Sequence, residues 1–98
     1  MNNIYITTYR IANSKDKRVI RLGRIKTNEI DLDFNDESIS RLQTTIKFEN
    51  NNWYIIDGDG KKASLNGTWY LAEEYITITE GMIFSAGSTS FIAHLFTP

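Results

Sequence analysis

An all-β fold of eight or more short strands is what the sequence predicts, and three observations lead there. Nowhere do apolar residues keep helical spacing over a useful length, whereas short runs alternate with a period of two. Those runs are rich in β-branched and aromatic residues. Between them lie clusters of Asn, Asp, Gly and Ser, the residues that favour turns. Short strands at regular spacing suit a sandwich or a barrel.

The elements follow in chain order. Ile4, Ile6 and Thr8 fall on one face of a first strand, with Tyr5, Thr7 and Tyr9 on the other. Val19 to Leu22 reads as a second strand, ending at Gly23. Ile30, Leu32 and Phe34 alternate with Asp31, Asp33 and Asn35, as in a strand with one dry and one wet face. Thr45 to Glu49 and Trp53 to Asp57 flank Asn50, Asn51 and Asn52, which suit the left-handed conformations of a tight hairpin turn. The polar, glycine-rich stretch from Asp57 to Thr68 is a loop. Further strand segments are expected around Trp69, over Tyr75 to Ile78, Met82 to Ala86, and Phe91 to Phe96. Glu73, Glu74 and Tyr75 can alternatively be read as a short helical turn, which leaves the fold class unchanged.

Composition narrows the function. With 98 residues the chain has room for one domain, residues 1–98, and its 41% hydrophobic and 23% charged residues are ordinary for a globular protein. No apolar run approaches the roughly 18 residues a membrane span requires, and the N-terminal residues carry no secretion pattern. Without cysteine there are no disulfides, thiolates or zinc ribbons, which suits an intracellular setting, nucleus or cytoplasm. A net charge of −1 gives no global field for nucleic acid or an anionic membrane. Locally, Lys15, Lys17, Arg18, Arg21, Arg24 and Lys26 oppose only Asp16, while Asp31, Asp33, Asp36 and Glu37 follow. Either a basic binding surface or a solvated strand face and loop fits that cluster.

Catalysis finds little to build on, so no enzyme activity, cofactor or metal is expected. The single histidine, His94, lies in the last expected strand, alternating with Ile92 and Phe96, and reads as a packed or edge-strand residue. Glu73 and Glu74 are neighbours and would point to opposite sides of a strand, unlike an acid and base pair. Asp57, Asp59 and Gly60 begin like a calcium loop, but Lys61, Lys62 and Thr68 stand where an oxygen ligand, a glycine and a glutamate are needed. Asn66 to Thr68 also forms a glycosylation triplet, expected to stay unmodified without a secretion signal.

Read in order, the chain carries RLGR at 21–24, SISR at 38–41, WYIID at 53–57, SLNGTW at 64–69, EGMIFSAG at 80–87 and FIAHL at 91–95. This series resembles the forkhead-associated (FHA) family over nearly the whole chain. Individually the motifs recur by chance; their order and spacing make the resemblance specific. It implies a two-sheet β-sandwich of about eleven short strands, SMAD-like, with binding loops at one end. By the same resemblance Arg24 and Ser40 contact a phosphate. A guanidinium offers a rigid fork of donors matched to phosphate oxygens, and a hydroxyl adds one more. Asn66 would hold the backbone of a phosphothreonine peptide, and Gly23 and Gly67 would supply backbone geometry in the loops. Thr68 and Arg41 would brace those loops. Lys61 and Lys62 either add attraction for a dianion or are solvated loop lysines.

This chain also departs from the family pattern. Gln43 replaces a histidine that buttresses the loops, and an amide can both donate and accept in its place. Leu65 stands where a hydroxyl or basic side chain usually meets the phosphate, leaving only its backbone N–H. Met82 replaces an aspartate and Leu71 an asparagine. Two functions follow: a phosphothreonine reader using Arg24, Ser40 and Asn66, or a degenerate module serving as a phosphate-independent scaffold or structural subunit. Either way the expected partner is a protein, and the 98 residues are expected to belong to a larger protein or complex.

Overall fold

Two adjacent asparagines make a tight turn between two strands. Asn50 and Asn51 have φ of 53° and 63°, the left-handed values that a two-residue hairpin turn of type I′ needs and that asparagine tolerates. They join strands Thr44–Glu49 and Asn52–Asp57 in an antiparallel register that runs from Glu49 opposite Asn52 to Thr44 opposite Asp57. The hairpin expected from the sequence is therefore present, one residue longer on each strand.

The computed structural model describes residues 5–7, 11–13 and 18–97, with side chains from 18 onward. Among these there is no helix, and the strands are β1 (Tyr5–Thr7), β2 (Ile11–Asn13), β3 (Val19–Gly23), β4 (Leu32–Asp33), β5 (Thr44–Glu49), β6 (Asn52–Asp57), β7 (Ile83–Ala86) and β8 (Thr89–Ile92). They form an antiparallel pair β1-β2, a mixed four-stranded sheet in the order β4-β3-β5-β6, and an antiparallel pair β7-β8. Ile4, Thr8 and Tyr9 of the first expected strand lie outside the described residues. The described strands number eight, against the eleven that the family resemblance implied. Two compact units make up the chain, dividing between Thr68 and Trp69.

In the first unit the four-stranded sheet carries the core. Ile20 on β3 stands opposite Ile46 on β5, and both are buried together with Ile30. Phe48 and Trp53 pair across the hairpin with ring centroids 5.1 Å apart, within the range of favourable aromatic contacts. Thr44 and Thr45 are buried too, and each hydroxyl is satisfied: Thr45 donates to the Gly58 carbonyl, and Thr44 pairs with Thr68 Oγ1 at 2.7 Å. Burial of both faces of this β5 end is what anchors the loops that follow.

The strand expected from Ile30 to Phe34 shortens to Leu32–Asp33, paired in parallel with β3. Asp31 explains the loss. Rather than facing water, its carboxylate accepts the Arg21 N–H at 2.7 Å while its own N–H donates to the Arg21 carbonyl at 2.9 Å. A side chain thus closes the ladder where a further strand residue would have done so.

In the second unit β7 and β8 pair with Phe84 and Phe91 stacked at 5.1 Å. The strands expected around Trp69 and over Tyr75 to Ile78 are absent, as is the alternative helical turn at Glu73. Aromatic and β-branched content signals fit to a half-buried pleat, and no neighbouring strand pairs with these residues. His94 also departs from expectation. It lies beyond β8, exposed, with Nδ1 2.8 Å from Glu80 Oε2, while Glu80 Oε1 accepts the Leu95 N–H at 2.7 Å. No helix among the described residues is long and apolar enough to cross a membrane.

Candidate functional site

Three loops follow from the sheet just described: the turn after β3, the segment between β4 and β5, and the long segment after β6. Gly23 ends β3 and packs against the second loop so closely that a Cβ there would sit 1.9 Å from the Arg41 carbonyl oxygen and 2.8 Å from Ile30 Cδ1. Only glycine allows that approach. On one side of it Arg24 N–H donates to the Ser40 carbonyl at 3.1 Å, and on the other Gln43 N–H donates to the Leu22 carbonyl at 2.8 Å. Arg24 and Ser40, sixteen positions apart in sequence, are thereby backbone neighbours.

Ser40 is held in a particular chemical role. Its Oγ accepts the Leu65 N–H at 2.9 Å, so one lone pair is occupied and the hydroxyl proton remains to be donated. The Leu65 N–H, expected to reach a phosphate itself, instead orients the hydroxyl. Beside it Asn66 Nδ2 donates to the Ser38 carbonyl at 2.9 Å, tying the third loop to the second at another point.

Gln43 does what its two-sided amide permits. Its Oε1 accepts the Ser40 N–H at 2.9 Å, and its Nε2 donates to the Gly67 carbonyl at 2.8 Å and to Ser64 Oγ at 3.1 Å. The flanking partners fix the amide orientation, since a carbonyl can only accept and an N–H can only donate. One half-buried side chain thus bridges the second and third loops. Gly67, with φ of 83°, makes the turn that presents its carbonyl to Gln43.

Two further residues, given no role in the site by the family resemblance, complete the brace. Asp57, the last residue of β6, accepts the Ser64 N–H at 3.0 Å, the Ser64 hydroxyl, and Thr68 Oγ1 at 2.8 Å. Ser64 in turn accepts the Gly67 N–H at 2.9 Å. The available signal was the strand-terminal aspartate followed by SLNGT, a loop with hydroxyls at both ends. Partial burial pushes the Asp57 carboxyl up, but the combined bonds from Ser64, Thr68 and Gly58 outweigh it and hold the group below its ordinary value of 3.8. A carboxyl depressed in the folded state lends stability above its unfolded pKa and loses it as pH falls through the folded value. Unfolding midpoints measured below pH 3.8 are therefore expected to fall with acid, and Asp57→Asn to flatten that dependence. A midpoint equally acid-sensitive in Asp57→Asn would remove Asp57 as the cause.

The remaining candidates fall nearby. Thr68 braces through Asp57, Thr44 and the Gln43 carbonyl. Arg41 is exposed, with its carbonyl against Gly23. Lys61 and Lys62 donate their backbone N–H groups to Asp59 Oδ1 at 2.8 and 2.7 Å, an Asx turn that engages this carboxylate within its own loop. Among the described residues no carboxylate forms a salt bridge with the side chain of Arg24, Arg41 or Lys62.

Neither a search of curated proteins nor one of solved structures gave a match. A family model described as "FHA domain" matches residues 20–87, which takes in every loop just described. The departures at Gln43 and Leu65 lie within that match, and at the first the amide both accepts and donates between the loops. FHA domains are phosphopeptide-binding modules of protein–protein interaction, and a cation, a directed hydroxyl and a braced loop pair are the parts such binding uses. The chain belongs to the FHA-domain family.

Proposed function

We propose that the chain reads phosphothreonine in a partner protein. Arg24 supplies the guanidinium and Ser40 the hydroxyl for the phosphate, Asn66 meets the peptide backbone beside it, and Gln43 with Thr68 keeps the loops in register. The observation that carries this reading is the Arg24 N–H bond to the Ser40 carbonyl, which makes backbone neighbours of the two residues assigned to the phosphate. Support also comes from the Leu65 N–H on Ser40 Oγ, which leaves that hydroxyl a donor. Leu65 thus serves the phosphate through Ser40, and Lys62 and Arg41 add positive charge at the same end.

In this reading the 98 residues act as one FHA domain, a two-sheet sandwich of about eleven strands, working inside the cell in nucleus or cytoplasm as a binding module rather than an enzyme. The net charge of −1 favours a protein partner over nucleic acid or membrane. Titration calorimetry with a degenerate phosphothreonine peptide library and its unphosphorylated counterpart tests it. Charge-assisted bonds worth about 1.5–3 kcal/mol each predict at least a ~100-fold preference for the phosphorylated set. Equal binding of both sets would favour the phosphate-independent scaffold instead.

A further inference from the structure

Asn66 is the only asparagine in the sequence followed directly by glycine, and that pair has a chemistry of its own. Once it has lost its proton to a base, the Gly67 backbone nitrogen attacks the Asn66 side-chain carbonyl carbon, and glycine sets no Cβ in the way. The new N–Cγ bond closes a cyclic imide. The Cγ–Nδ2 bond breaks, and Nδ2 leaves as ammonia, taking up one proton from water. Water then opens the imide, which leaves either aspartate or its isomer with the main chain running through the side-chain carbonyl. Asn66 is exposed, so base and water both reach it. The reactive pair is also built into the loop, because Gly67 has φ of 83°, a conformation that side chains resist.

Two hydrogen bonds oppose the first step. Gly67 N–H donates to Ser64 Oγ at 2.9 Å, which holds the proton that must be lost, and Ser64 is itself anchored on Asp57. Asn66 Nδ2 donates to the Ser38 carbonyl at 2.9 Å, which fixes the leaving amide. We propose that Asn66 is a site of spontaneous deamidation that switches off peptide binding, and that the closed loops, through Ser64, keep the reaction slow. The loss of binding rests on the phosphothreonine reading, whereas the reaction and its restraint do not. A carboxylate formed at position 66 turns an acceptor toward the Ser38 carbonyl where a donor stood. It also sets a negative charge next to Leu65, whose N–H lies on Ser40 Oγ, and so repels a phosphate dianion.

The full chain is incubated in buffer and in urea, and mass spectrometry of its proteolytic peptides follows the exchange of the amide NH2 for OH. In urea, conversion at Asn66 is expected to outrun that at Asn50 and Asn51. In buffer it is expected to be at least about ten-fold slower than in urea, since an ordered loop must open first. Ser64→Ala is expected to speed conversion of the folded chain about five-fold, the worth of one hydrogen bond, and to match the parent chain in urea. Conversion in urea no faster at Asn66 than at Asn50 and Asn51 overturns the site. Equal rates in buffer and urea, or a folded Ser64→Ala chain no faster than the parent, overturn the restraint, and the first comparison decides even where Ser64→Ala does not fold. Converted chain, separated by its added negative charge, is expected to bind a phosphothreonine peptide library about ten-fold more weakly than fresh chain. Equal affinity of the two overturns the switch alone. Fresh chain that binds phosphorylated and unphosphorylated peptides equally overturns the phosphothreonine reading and the loss of binding with it, while the mass readout still decides the reaction.

Discussion

Arg24→Glu is expected to lower phosphopeptide affinity by about 100-fold or more while leaving the thermal midpoint near that of the parent chain. One charge-assisted bond to a phosphate is worth about 1.5–3 kcal/mol, or roughly 10- to 150-fold, and a carboxylate facing a dianion adds repulsion to that loss. Stability should hold because Arg24 joins the fold through its backbone N–H on Ser40, which glutamate keeps. Ser40→Ala, lacking only a neutral donor, should lose about ten-fold. Calorimetry on the three chains, paired with thermal melts, separates binding from folding. Should Arg24→Glu keep its phosphopeptide affinity, the guanidinium is not the anion's partner.

Gly23→Ala is expected to be strongly destabilising, at about 3 kcal/mol or more, the upper end for overpacking. The added carbon meets the Arg41 carbonyl at 1.9 Å, and a backbone oxygen cannot rotate aside as a side chain would. Relief requires parting β3 from the second loop, which pulls at the Arg24–Ser40 and Gln43–Leu22 bonds on either side. Against a total stability of about 5–15 kcal/mol for a small domain, that is a large share. Urea unfolding of the two chains measures it, with phosphopeptide affinity expected to fall in step because the Arg24–Ser40 rim opens. A loss within about 0.5 kcal/mol, the range of an ordinary surface change, would mean that the close approach is not there.

Local chemistry was the most legible part of the sequence. Asn50 and Asn51 announced a hairpin because few other residues accept positive φ twice in succession, and the strands beside them alternate as a half-buried sheet must. Gly23 was legible as a loop glycine, but its real reason, the Arg41 carbonyl eighteen positions away, is a tertiary fact. Asp57 and Ser64 were harder. Each is an ordinary polar residue at a strand end or in a loop, and only the folding of residues 58–63 back on themselves lets one carboxylate serve three donors. Asp31 misled for the opposite reason: an aspartate alternating with apolar residues signals a wet face, yet here it satisfies a strand N–H. The segment from Trp69 to Met82 misled because β-propensity reports suitability for a sheet without saying whether a partner strand arrives.

The bridge at position 43 has a consequence for how acidity acts on the site. Imidazole changes charge between pH 5 and 8, whereas a carboxamide carries no proton that leaves or arrives anywhere in that interval. With an amide spanning the loops, that bridge changes neither charge nor donor pattern through the neutral range. What then varies is the guest, whose phosphomonoester sheds its second proton near pH 6. At this bridge the protein contributes no titrating group, and the ligand contributes one.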